Sequence, residues 1–503
     1  MKTPFLGGHT VSRSTNLADN QCINLYAELL ETKDGKEIGA FYQTPGLTLF
    51  LQCGPGPIRA MYPTPAFLWV VSGNQVYTIN NAFGIGNPGS LRTSTGPVSM
   101  ISTGQNIGYG DQLAIFDGQF GYGVSNSGIL APITLPFTQA PTFAAYQDGF
   151  GLLVEAKSQT IWQSNSFDLL TWPALNFQAA TVKPDLVIAI ASVQDQLWIF
   201  KQYTTEVWGD VGGYPFAFQL IPGAFSEFGC AAAYSVAVTG GTVIWLAQNQ
   251  SGTGEVRIAS GYQSKKISTH AMQEIWSGYP TVSDAQAYTV QQQGHDWYVL
   301  TFPSASATWA YDLSTGLWAQ WAEFYQGEFI RHQSNCACIW REQNLVGDFQ
   351  SGNIYQLTPG GRYDNGQQRK WLRTWRALAK PTMQPVRFAK LTMDMQTGTS
   401  TPVNDVQVIG DGTGNIIGDG KGNEIGEGLQ LDASNQISLR WSDDGGHRWS
   451  HYVQRDVGDL GETAKRVMFK RLGSTRRATG LDRIFELSSS DAFDVALMGA
   501  EIE

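Results

Sequence analysis

Apolar and polar positions along the chain fall into short runs with a recurring order. A segment opens with a short strand, passes a Gly, Asn or Asp turn, and enters a second strand rich in aromatic and branched residues. "IRAMYPTPAFLWVVSGNQVYTI" starts this way at Ile58, and "FAAYQDGFGLLVEAKSQTIWQS" repeats the plan from Phe143. Further copies begin at Val98, Val187, Tyr234, Ala287 and Ile330. The starts lie roughly 40–55 residues apart, the length of a four-stranded propeller blade. The turns SGN, DGF and QSGN have hairpin chemistry. Closing such sheets into a ring removes long exposed edges. The pattern predicts a β-propeller of six or seven blades over residues 55–358, with a weak register at 80–97 and 124–142.

The grammar then changes. "TPGGRYDNGQQRK" is rich in Gly and polar residues and reads as the start of a linker. Residues 359–390 are expected to form a basic linker and entry strand. The runs "RFAKLTMDMQTG", "QISLRWS" and "RIFELSSSD" alternate as antiparallel strands and predict a β-sandwich over 391–503. Residues 1–54 read as an N-terminal arm that packs with this sandwich as a platform. The expected fold is therefore all-β: a six- or seven-bladed β-propeller plus a C-terminal antiparallel β-sandwich, joined by an N-terminal arm. Between two of the sandwich strands lies the Gly/Asp-rich stretch 409–428, a loose eight-residue repeat with Ile at 409, 417 and 425. It reads as a flexible insertion. Its alternative is a small β-roll holding Ca²⁺ through Asp411, Asp419 and Glu427, since oxygen donors suit that ion.

Composition supports the strand reading. Charged residues are 15% of the 503 positions, aromatics 12%, and Gly occurs 56 times. That mix is poor in helix formers and rich in turn and strand residues. No apolar run approaches the ~18 residues of a membrane span. The opening "MKTPFLGGHTVSRST" has no stretch long enough for a signal peptide, so synthesis and retention in the cytosol are expected. The five cysteines, Cys22, Cys53, Cys230, Cys336 and Cys338, are scattered and odd in number. They do not suggest a disulfide framework. Cys336 and Cys338 share one strand face and read as small core residues, with a metal pair as the alternative.

The net charge of −10 is uneven. From Arg362 to Lys390 eight Lys/Arg stand against one Asp, and from Arg440 to Arg483 ten stand against six acids. The rest of the chain is strongly acidic and suits DNA binding poorly, because phosphate attraction dominates nucleic-acid affinity. The segment Arg369, Lys370, Arg373 and Arg376 is a candidate interface; the bland reading is a solvated linker with exposed strand faces.

One motif invites a chemical reading. "SDDGGHRW", Ser442–Trp449, has the Asp-box spacing found in sialidases and other propellers. Ser442 and Asp444 can bond nearby backbone N–H groups, Gly446 supplies a positive φ, and Trp449 can cover the turn. The box reads as a hairpin brace and not as a catalytic group. The chain carries no GxSxG, HExxH or P-loop, and its six histidines show no metal spacing. A glycosidase needs two carboxylates with separated pKa values, which one sequence does not reveal. The Arg-Ile-Pro signature of sialidases is absent. No catalytic residue, cofactor or metal is expected; a glycan-binding or glycan-cleaving propeller, such as a receptor-degrading tail component, is the alternative.

Several runs in order carry a resemblance: "INLYAELLE", "YQTPGLTLF", "TTEVWGDVGGYPFAFQLIPGAFSEFGCAAAYSV", "LVGDFQSGNIYQL", "LRWSDDGGHRWS" and "KRLGSTRRATGLDRIFELSSSD". Together they resemble the packaged-DNA stabilisation proteins, or tail hub (nozzle) proteins, of short-tailed bacteriophages. The 409–428 insertion departs from that pattern. The resemblance implies a structural virion protein without enzymatic activity. It implies a homo-hexameric ring below the portal and its adaptor that extends the DNA channel and retains packaged DNA. Implied partners are the portal adaptor, a tail fibre or spike, a tail plug or needle, and the double-stranded DNA passing through. Implied localisation is the virion tail, assembled in the host bacterial cytoplasm, with no membrane insertion.

Overall fold

Many strands read as unbroken apolar runs, "LWVV" and "VIWLA" among them, and such strands need cover on both faces. The computed structural model supplies it by stacking sheet against sheet. It describes residues 1–15, 17–30, 38–104, 111–124, 128–378, 385–399, 435–459, 461–475 and 483–503. The chain divides into two compact units, one of Met1–Gly8, Ser14–Thr44 and Gln367–Glu503, the other of His9–Arg13 and Pro45–Gly366.

The second unit contains seven consecutive antiparallel sheets. The first runs Ile58–Pro63, Phe67–Ser72, Gln75–Asn80 and Ile85–Ser90. The next five begin at Ser99, Pro141, Val187, Gly229 and Gln286. The seventh runs Ser334–Trp340, Gln343–Asp348 and Asn353–Thr358, and takes its fourth strand, Gly46–Gln52, from the N-terminal side of the chain. First strands pack one on the next in series, with Ala237–Thr239 taking that place in the fifth sheet, and Ser334–Trp340 of the last sheet returns to Ile58–Pro63 of the first. The sheets therefore close as a propeller. Weak register at 80–97 and 124–142 corresponds to two irregular outer strands, Ile85–Ser90 and Leu130–Pro132.

Apolar side chains meet between neighbouring sheets. Leu152, Val154 and Ile161 of the third pack on Ile190, Leu197 and Ile199 of the fourth. Phe200 and Val207 of the fourth pack on Val243 and Trp245 of the fifth. Successive residues such as Leu152 and Leu153 point to opposite faces and join different clusters, Leu153 packing with Ala114 and Phe116 of the second sheet. A single α-helix of the described residues, His270–Ser277, is capped by Thr269 and buries Met272 and Trp276 against the fifth and sixth sheets.

A device that periodicity does not reveal recurs at the turn between second and third strands. An acid closing the second strand accepts a hydrogen bond from an aromatic on the third. The pairs are Asp117 with Tyr122 OH (3.3 Å), Glu155 with Trp162 Nε1 (3.0 Å) and Asp348 with Tyr355 OH (3.1 Å).

The first unit holds two five-stranded antiparallel sheets. One orders Cys22–Ile23, Trp371–Arg376, Ile484–Ser489, Gln436–Ser442 and Val453–Asp456. The other orders Leu25–Leu29, Gly39–Gln43, Ala496–Ile502, Arg387–Met395 and Met468–Ser474. Aromatics join their faces: Phe485 of one lies 6.1 Å from Phe388 of the other, and Phe5 contacts both Phe41 (5.6 Å) and Trp375 (4.8 Å).

Two expected boundaries shift. The boundary between arm and propeller falls between Thr44 and Pro45 and not after residue 54, because Gly46–Gln52 completes the seventh sheet. The expected basic linker at 359–390 is no free tether where it is described. Tyr363–Asp364 still pairs at the edge of the seventh sheet, and Trp371–Arg376 is an interior strand between two partners. The arm enters the same unit as the C-terminal strands: Thr3 N donates to Ala500 O at 2.9 Å, and Lys2 bridges to Glu501. The Gly/Asp-rich stretch 409–428, with Asp411, Asp419 and Glu427, lies outside the described residues.

Candidate functional site

The Asp-box sits in the connection between the paired strands Gln436–Ser442 and Val453–Asp456. Ser442 ends the first strand and is buried. Its Oγ accepts from Gly446 N (2.9 Å) and donates to Asp444 Oδ1 (2.9 Å). The same Oδ1 accepts from Arg448 N at 2.8 Å. Gly445 and Gly446 both adopt positive φ, 71° and 91°, which glycine tolerates without Cβ strain. Ser450 closes the mouth, its N donating to Trp441 O (2.8 Å) and its Oγ accepting from Trp441 N (3.0 Å). Thr15 Oγ1 donates to Gly445 O from outside. Trp449 lies under the Arg440 guanidinium at 4.7 Å. Burial works against the Asp444 carboxylate, but the bonds from Arg448 N and Ser442 and the nearby His447 and Arg448 charges hold its pKa below the ordinary value.

Two ion pairs missed by the motif reading flank the box. Arg440 forks onto Glu486 with two 2.7 Å bonds, and Tyr452 OH adds a third at 3.0 Å. Arg483 forks onto Asp443 at 2.7 and 2.8 Å and donates to Leu472 O at 2.6 Å. "SDD" marks Asp443, but its partner lies 40 positions on, beyond any local pattern. The side-chain hydrogen bonds of Ser442 and Asp444 described above all stay within the loop, so the box binds its own turn.

The basic segment falls differently from a charged face. Arg373 is 1% exposed and lies on the strand face of Trp371 and Trp375, both wholly buried. Its guanidinium donates to Phe5 O (2.7 and 3.1 Å) and Gln21 O (3.2 Å) and stacks over Phe41 at 4.8 Å. Burial lowers its pKa from the usual arginine value. Arg369 is also buried, donating to Thr44 O (2.6 Å) and Thr44 Oγ1 (2.7 Å). Lys370 is half-buried and its pKa is lowered, chiefly by burial. Arg376 reaches Leu17 O at 3.1 Å from a more open position. Two of the four thus serve as interior ties.

The remaining candidates are quiet. His447 and His451 are exposed. His295 is buried, its Nδ1 2.8 Å from Asp312 and its ring stacked on Trp297 at 5.3 Å. None of the five cysteines is joined in a disulfide; Cys22, Cys53 and Cys230 are buried, with burial pushing their thiols up to about 11, 12 and 12. Cys336 and Cys338 pack against the core between seventh and first sheets. No group of three or more His, Cys, Asp or Glu among the described residues is placed to hold a metal.

A family model described as "Bacteriophage P22 Gp10, beta-propeller", the phage stabilisation family, matches residues 1–360. The chain belongs to this phage stabilisation family. The match takes in all seven sheets of the propeller. No curated protein matches the chain. Solved structures show distant similarity. The N-terminal domain of Nup159 is 9% identical, with a TM-score of 0.40, over 68% of this chain and 99% of that one. The Neurospora crassa Pan2 WD40 domain is 8% identical (TM-score 0.38, 66% and 99%). The extracellular domain of BT4673 from B. thetaiotaomicron is 9% identical (TM-score 0.42, 71% and 45%). As a member of the phage stabilisation family the chain is a phage structural β-propeller protein and a virion component. No helix among its described residues is long and apolar enough to cross a membrane.

Proposed function

We propose that this chain is the tail hub, or nozzle, of a short-tailed phage, without enzymatic activity. In this reading six copies form a ring below the portal and its adaptor. The ring extends the DNA channel, retains the packaged genome, and offers its outer surface to fibres or spikes and its end to a plug or needle. The observation that carries the reading is the family match over residues 1–360. Two further features support it. Both units are built from antiparallel sheets with buried aromatic seams, a stiff material for a tube wall. The Asp-box spends its hydrogen-bonding groups on its own loop. The unit that joins residues 1–8 and 14–44 to the C-terminal strands is the part expected to meet the adaptor. A net charge of −10 per copy would keep an exiting duplex from adhering to the ring.

The test is electron microscopy with native mass measurement on the protein alone and with the adaptor from the same genome. The expected result is a six-fold ring, free or formed on the adaptor, with a bore of at least about 20 Å to pass a duplex. A chain that stays monomeric with every adaptor overturns the hub reading.

A further inference from the structure

The four-strand meander fixes where loops lie. Connections from second to third strand, and from the fourth strand to the next sheet, emerge on the same face of the propeller. On that face, four such loops of the fourth and fifth sheets enclose a cleft of about 430 Å³. They are 183–186 and 202–204 on one side, and 227–228 and 249–251 on the other. The volume lies within the ~300–1,000 Å³ of small-molecule sites.

Its floor is held by buried charge. Lys201, with a side chain 0% exposed, places Nζ 2.9 Å from Asp185 and 3.1 Å from Glu206, and donates to Ala180 O (3.0 Å) and Lys183 O. Asp185 also accepts from Tyr203 N (2.8 Å) and Thr204 Oγ1 (3.0 Å). Loops 183–186 and 202–204 are thus fixed to each other before any ligand arrives. Burying such a cluster carries a large desolvation cost, and here it secures the shape of the cleft.

The walls define the chemistry. Hydrogen-bonding groups come from Gln250, Ser251 and the free part of two amides, Gln202, whose Nε2 already donates to Tyr203 OH at 2.9 Å, and Asn249, whose Oδ1 accepts from Ser251 N at 2.9 Å, with the exposed carboxylate of Glu227 beside them. Apolar surface comes from Tyr203 and Phe228; the Phe228 ring is backed by the Arg257 guanidinium at 3.5 Å. Lys183 and Glu227 bring one charge of each sign to the lining, and Lys201 is committed to its acids. No excess cation is left for a phosphate or sulfate, and the amides are too many for a purely apolar guest. Amides, a hydroxyl and one carboxylate beside aromatic surface match a ring that has hydroxyls at its edge and C–H groups on its face.

We propose that this cleft binds a neutral saccharide, from one to two sugar rings, through Gln202, Gln250 and Glu227 with stacking on Tyr203 or Phe228. The proposal is independent of ring formation and stands or falls apart from the hub reading.

Saturation-transfer NMR on the full chain tests it. The probes are glucose, galactose, mannose, N-acetylglucosamine and maltose, with galacturonate as an acidic control. The expected result is transfer to at least one neutral sugar, with an affinity of about 1 mM. The signal should fall about tenfold in Gln250→Ala and vanish in Ser251→Trp, whose ring fills the cleft from a surface loop. Circular dichroism should show both variants folded; if one is not, Glu227→Ala at the exposed rim takes its place. No transfer to any neutral sugar, transfer unchanged in the variants, or transfer to galacturonate alone overturns the proposal.

Discussion

At the scale of single residues, the polar groups that matter are those that tie distant backbone together. Asp444 shows the modest end. Removing its carboxylate in Asp444→Ala forfeits the bonds to Ser442 and Arg448 N and should cost about 1–2 kcal/mol in denaturant unfolding. Its depressed pKa gives the sign of a pH effect. The contribution is present above the unfolded carboxylate value, near pH 4, and is lost as pH falls through the lower folded value. Wild type and Asp444→Asn should therefore converge in stability once the pH falls below the lowered value of the folded Asp444 carboxylate. Lys201 shows the costly end. Lys201→Met leaves Asp185 and Glu206 facing each other without their cation and should cost about 3–5 kcal/mol, measured the same way. Arg373→Leu strands Phe5 O and Gln21 O and should cost about 3 kcal/mol.

At the scale of elements, the propeller was legible because each sheet repeats one plan of short apolar strands between Gly, Asn or Asp turns. The strands predicted at Ile58, Val98 and Val187 lie at or within one residue of those observed. What escaped has physical reasons. Gly46–Gln52 pairs with Asn353–Thr358 across three hundred positions, and no local period marks such a partner. The run of basic residues near 370 looked like a surface feature because charge was counted along the chain. Counted at the two-residue period of a strand, "WLRTWR" places Arg373 between two buried tryptophans, and its interior position becomes readable. The Asp-box loop was found because its bonds are local; the Arg483–Asp443 pair beside it was not, because its partner is remote. A deletion tests the arm. Starting the chain at Gly46 keeps the closing strand of the seventh sheet but removes Leu25–Leu29 and Gly39–Gln43 from the sheet they share with Ala496–Ile502. The expected outcome is loss of protease resistance in residues 367–503 while residues 46–366 stay protected, read by limited proteolysis with mass mapping.

At the scale of the whole molecule, charge sets an expectation for the proposed ring. Each copy brings −10, and two arginines of the candidate interface segment, Arg369 and Arg373, are spent inside. Self-repulsion between copies should therefore outweigh attraction. Sedimentation of chain with adaptor at about 50 and 300 mM salt should show more ring at the higher value, where the Debye length is shorter. More ring at low salt would point instead to attraction between charged faces. The closing strand carries a different consequence, one of birth order. Gly46–Gln52 leaves the ribosome early, and its partner Asn353–Thr358 follows about 300 residues later, or about 15–60 s at ordinary rates of synthesis. Until that partner is made the seventh sheet is incomplete and the ring cannot close. Ribosome-bound chains of this protein are therefore where a chaperone is expected to matter most.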